Sequence, residues 1–136
     1  MLPISWVRFI SMWLAMAFAM TANGIFREAA LKGVASSRVA DTLSAVIGIV
    51  LLAVITRIGF RPAPPATSLS ALAFASLMLV VLTVAFECAI GLLVDHKSWT
   101  ELARHYAIWR GELWPIVLAF LAVTPFLWVR WVPSRG

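Results

Sequence analysis

Four stretches of this chain, about residues 4–26, 39–60, 69–94 and 113–131, are each long enough and poor enough in charge to cross a bilayer. Inside hydrocarbon a backbone must satisfy its own polar groups, so segments of this kind have one practical solution, the α-helix. At about 1.5 Å per residue, about 20 residues cover the roughly 30 Å of a hydrocarbon core. Four such spans and their connections use up nearly all 136 residues. The expected fold is therefore an all-α membrane protein, a single transmembrane domain over residues 1–136 with no separate soluble domain. A hydrophobic content of 62% with 12% charged residues and a mean hydropathy of +0.96 exclude the soluble globular class.

The residues flanking the runs set the expected boundaries. The first run follows Trp6 and Arg8, an interfacial anchor, and ends at Asn23, Arg27 and Glu28; it is too long for the apolar part of a signal peptide. Ser36 and Ser37 are suited to cap the second span, in which Ala40, Ser44 and Gly48 recur every four residues. That spacing predicts a close-packing face, consistent with a homo-oligomer. The connection from Arg61 to Thr67 is proline-rich and breaks the helix. In the third span Ser76, Val80, Thr83, Glu87 and Gly91 fall three or four apart, one stripe directed at the bundle interior. Ser98 and Glu101 have capping-box spacing, and Trp99, Leu102, Tyr106 and Trp109 follow at helical intervals. A short amphipathic helix over about 98–110, lying in the membrane interface, is the expectation. Pro115 suits the first turn of the fourth span, and Pro125 is expected to kink its later half.

Charge narrows the partners. The formal net charge of +5 comes from basic residues at the span ends, which fits membrane anchoring and excludes a nucleic-acid partner. Arg8, Arg57, Arg61, Arg130 and Arg135 share one face that lacks acids. This predicts both termini in the cytoplasm, with the chain in a bacterial inner membrane. The lone Cys88 leaves no internal disulfide, and His96 and His105, nine apart, make no metal set. No phosphate loop, His-Glu-x-x-His or Gly-x-Ser-x-Gly occurs, so no catalytic residue and no cofactor is assigned.

Almost every remaining polar candidate falls on the opposite face. Asn23 and Arg27 lie one turn apart, Glu28 follows them, Asp41 lies in the first turn of the second span, Glu87 lies late in the third, and Glu112 precedes the fourth, two residues after Arg110. A charge alone in hydrocarbon costs several kcal/mol, so a cation is expected beside Glu87, Arg27 first and Arg110 second. Such a pair has two readings: a structural link fixing helix register, or a substrate or proton site. Asp41 has the simpler reading of a favourable charge near a helix amino terminus.

Asn23-Gly24-Ile25-Phe26-Arg27-Glu28, Phe86-Glu87 with Gly91, Ser98-Trp99, Tyr106 and Gly111 with Leu113 and Pro115 resemble a pattern of small uncharacterised four-helix bacterial inner-membrane proteins. The resemblance spans most of the chain and implies that Asn23, Arg27, Glu28, Glu87, Trp99, Tyr106 and Gly111 belong together, but it carries no activity. The leading functional expectation is a polar transport or ligand site at one membrane face. An accessory or assembly subunit of a larger membrane complex, with a structural ion pair, is the second. An intramembrane lipid-modifying enzyme is the third.

Overall fold

A computed structural model of the chain describes residues 1–107, 109 and 111–133. Five helices account for most of it: α1 (Trp6–Val34), α2 (Ser37–Phe60), α3 (Leu69–Leu93), α4 (Trp99–Arg104) and α5 (Trp114–Trp131). All but α4 are long and apolar enough to cross a membrane, and no strand occurs among the described residues. Serines start four of the five: the hydroxyls of Ser5, Ser36 and Ser68 accept from the amides of Arg8, Val39 and Ala71, at 3.2 to 3.3 Å. At α4 the capping box is complete, with Ser98 and Glu101 bonded reciprocally.

Three boundaries differ from the sequence reading. Helix α1 does not stop at residue 26. It widens into a π turn over Arg27–Leu31, in which the Lys32 amide bonds back five residues to the Arg27 carbonyl, and then closes with Lys32–Val34. A Glu28–Lys32 ion pair at 2.9 Å, four residues apart, supports these added turns. Because Ser36 caps α2, its first turn is over before Asp41, which loses the helix-end role expected of it. Finally, α4 ends at Arg104 and does not run to 110; Gly111 lies beyond it with φ of +84°, a left-handed turn that suits glycine.

Around the bundle α1 packs on α2, α2 on α5 and α5 on α3. Helices α1 and α3 instead meet through large side chains, Trp6 edge-on to Phe74 and Trp13 edge-on to Phe86 at 5.7 Å between ring centres. Ala40, Ser44 and Gly48 are buried as expected, but within the chain: a Cβ on Gly48 would lie 3.0 Å from Met20 Cε and 3.3 Å from Asn23 Nδ2. Helix α1 therefore occupies the face that the four-residue spacing had offered to a second copy.

The end holding the amino terminus is dense. Phe9, Phe60, Leu72 and Leu79 are at most 1% exposed, and lipid tails are as apolar as they are, so shape fit holds them together. Arg8 donates to the carbonyls of Gly59 at 2.8 Å and Ile58 at 2.7 Å, satisfying the carboxyl end of α2. Arg57 bonds the Val132 carbonyl and stacks on Trp128, while Arg130 donates to the Thr67 carbonyl at 3.2 Å. Pro125 leaves the Leu121 carbonyl without its helical donor. The Thr124 hydroxyl supplies one at 2.8 Å, and a second π turn over Leu127–Trp131 follows.

Candidate functional site

The opposite half of the bundle is hollow. Because Trp13 and Phe86 hold α1 and α3 apart, a cavity of about 1620 Å³ lies between the four long helices. Met16, Leu52, Val117 and Leu121 wall its deep end, and Arg27, Glu28, Asp41, Asp95, Lys97 and Glu112 stand nearer its mouth. Trp13 donates from its indole to the Thr83 hydroxyl at 3.3 Å across the wall between α1 and α3.

Asn23, 6% exposed, is among the most buried polar groups of the site, with Ser44 at 5%. Its amide nitrogen donates to the Ser44 carbonyl at 2.8 Å. A carbonyl can only accept, so the amide is fixed with its nitrogen toward α2, and Oδ1 has no partner. Glu87 reaches the cavity from α3 with Oε2 buried and likewise without a partner. Three donors are in the same condition: Arg27 Nε and Trp114 Nε1 on the lining, and the Tyr106 hydroxyl beside them. Burial raises the Tyr106 pKa above the ordinary tyrosine value; the neighbouring Trp114 indole opposes that shift without reaching hydrogen-bond geometry, and Glu87 and Cys88 add to it.

The ion pair expected between Arg27 and Glu87 does not form. Arg27 lies 3.2 Å from Glu28 and 3.7 Å from Asp41. Among the described residues no cation nitrogen comes within ion-pair distance of Glu87. Arg27 keeps α-helical register with the rest of α1, its amide bonding the Asn23 carbonyl, and its guanidinium lies toward α2, where Glu28 and Asp41 engage it. Arg110, the second expected partner, lies outside the described residues.

Of the other expected site residues, Glu28 is a half-exposed partner of both Arg27 and Lys32, and Asp41 lines the cavity. Trp99 and Trp109 are exposed, at 69% and 81%, and do not line it. Leu102, on the same short helix, packs instead against Gly91 of α3. The stripe of α3 is directed inward: Ser76 donates to the Ala122 carbonyl at 2.5 Å, and Thr83 and Glu87 reach the lining. Glu112, placed on this face by the sequence, lines the cavity, whereas sequence reasoning passed over Ser44, Asp95, Lys97 and Trp114 as members of the site. Trp13 carried the one usable signal, as the tryptophan far from any span end.

Comparison with known proteins adds no relative: no family model, no curated protein and no solved structure matches this chain.

Proposed function

We propose that this is a small multi-pass membrane protein that binds an organic ligand in a cleft open to one membrane face and closed toward the other, as a transport site requires. One observation carries the reading: four buried polar atoms without partners, Asn23 Oδ1, Arg27 Nε, Glu87 Oε2 and Trp114 Nε1, belong to residues that line a single cavity. Each such atom left unbonded costs about 1–3 kcal/mol. A group of them in one place fits a site whose partner arrives from outside the chain. Asymmetry along the bundle supports the same reading, since the cavity ends at the level of Leu52 and Leu121 and the packed layer of Phe9, Phe60, Leu72 and Leu79 lies below.

In this reading the acid-free face of Arg8, Arg57, Arg61 and Arg130 is cytoplasmic in a bacterial inner membrane, and the cleft opens on the far side. Trp99 and Trp109, both exposed, rest in the lipid headgroup region beside its mouth. An accessory subunit with a purely structural Arg27–Glu87 pair is disfavoured, because Arg27 is engaged by Glu28 and Asp41.

Single cysteines in a Cys88→Ser background test the cleft. Ala45 lines it, whereas Ala75 is fully buried in the closed half. In membrane vesicles Ala45→Cys is expected to react with an impermeant methanethiosulfonate from one side only, and Ala75→Cys from neither. An Ala45→Cys variant unreactive from both sides would overturn the reading.

A further inference from the structure

We propose that the cavity takes a lipophilic monovalent organic cation, with its charged centre beside Glu87 and Asn23 and its apolar surface along Met16, Leu52 and Leu121. The inference rests on the reading of the cavity as a ligand site and adds the chemical class of the occupant.

The distribution of acids comes first. The chain has 11 basic and 6 acidic residues, yet Glu28, Asp41, Glu87, Asp95 and Glu112, five of those six, line this one cavity. Three of the four described lysines and arginines on the same walls are paired, Arg27 with Glu28 and Asp41, Lys32 with Glu28, and Lys97 with Asp95, and the fourth, Arg38, stands at the start of α2. Glu87, the deepest of the acids, has no such counter-charge among the described residues. A carboxylate held in surroundings of low polarity attracts a cation more strongly than the same group in water.

The polarity of the buried oxygens gives a second, independent indication. Asn23, more than nine-tenths buried, has its amide nitrogen committed to Ser44 and its Oδ1 unpartnered. With Glu87 Oε2 this makes two buried oxygens on one cavity whose negative charge no donor offsets, and that charge attracts a cation whether or not it carries an N–H. The walls supply a third. Trp13, Phe86 and Trp114 all line the cavity, and aromatic faces attract cations through their negative quadrupole. Cavity volume selects among cations: about 1620 Å³ exceeds the range of roughly 300–1,000 Å³ usual for small-molecule pockets, far more than a bare metal ion needs. The apolar deep end suits a cation that carries hydrocarbon.

Two probes of one shape and opposite charge separate the possibilities. The purified chain in uncharged detergent is dialysed to equilibrium against radiolabelled tetraphenylphosphonium or tetraphenylborate, with protein-free micelles as background. Saturable binding of the phosphonium, at least tenfold tighter than the borate, is expected. Glu87→Gln should weaken it at least tenfold without lowering the unfolding temperature, and Glu101→Gln, which changes the one acid outside the cavity, should leave it unchanged. Absence of saturable phosphonium binding, equal or preferred borate binding, or full affinity in Glu87→Gln overturns the proposal. If Ala45→Cys is labelled and borate protects it, the ligand site stands and only its charge preference falls. If Ala45→Cys is unreactive, both readings fall together.

Discussion

Arg27 and Glu87 line the same cavity without pairing: the guanidinium lies 3.7 Å from Asp41 on α2 and 3.2 Å from Glu28, and the Glu87 carboxyl keeps a buried oxygen with no partner. The two substitutions therefore have separate consequences. Arg27→Gln breaks contacts between half-exposed groups, which are worth about 0–1 kcal/mol. Glu87→Gln removes a buried charge with no direct counter-ion, so stability is expected to hold or to rise. Thermal unfolding of both variants in detergent checks this, and a Glu87→Gln protein that melts several degrees lower would mean that its charge is structural.

Much of the frame was legible in the sequence because its causes are local. Span length, serine caps, the Ser98–Glu101 box and the inward stripe of Ser76, Thr83 and Glu87 follow from spacing alone. The convergence of Asn23, Arg27, Asp41 and Glu87 at one end followed from counting residues along antiparallel helices. Illegible were the facts set by rotation of one helix against another. The π turn at Arg27–Leu31 leaves no spacing signal, and neither does the meeting of Arg27 with Asp41 across two helices. The small face of α2 announced close packing but not that α1 would fill it. Arg8, Arg57 and Arg130 read as anchors, and only the structure assigns them carbonyls to hold.

In the closed half a side-chain hydrogen bond joins α2 to α5. The Thr56 hydroxyl, fully buried, donates to the Leu52 carbonyl at 2.5 Å and accepts the Trp128 indole N–H at 2.9 Å, joining α2 to α5. Thr56→Val keeps the shape and strands that indole N–H, at an expected cost of about 1–3 kcal/mol. Trp128→Phe should cost a similar amount, since it also removes the ring stacked on Arg57. Because the two residues share one bond, the double variant should fall well short of the sum, and chemical denaturation of all four proteins measures the difference.

Two glycines on the first two helices should respond in opposite ways. A Cβ at Gly59 would overlap Met12, lying 2.7 Å from its Cγ and 3.2 Å from its Cβ, so the buried Met12 side chain must leave its position or α1 and α2 must separate. Gly59→Ala is expected to destabilise by about 1–3 kcal/mol. At Gly24, on the cavity side, nothing lies within 4 Å. There alanine gains helix propensity of up to about 1 kcal/mol, and the unfolding temperature should hold or rise. A lower unfolding temperature for Gly24→Ala would mean that an occupant or a second chain reaches that backbone.

Tyr106 gives a test that depends on pH. Its hydroxyl is buried without a partner, and burial holds its pKa above the ordinary value of 10.0. An acid whose folded pKa is raised keeps its proton where the unfolded chain has lost it. The unfolded state then binds fewer protons, and stability falls as pH rises from about 10 toward the folded value, with no contribution of this kind below. Tyr106→Phe should abolish that alkaline loss. At neutral pH it removes an unsatisfied buried hydroxyl, so the variant should match or exceed the parent by up to about 1 kcal/mol. Unfolding measured between about pH 7 and pH 11 separates the two effects. A Tyr106→Phe protein that is weaker at neutral pH would mean that the hydroxyl has found a bond with a bound molecule, and the same measurement after exhaustive detergent exchange should then restore parity.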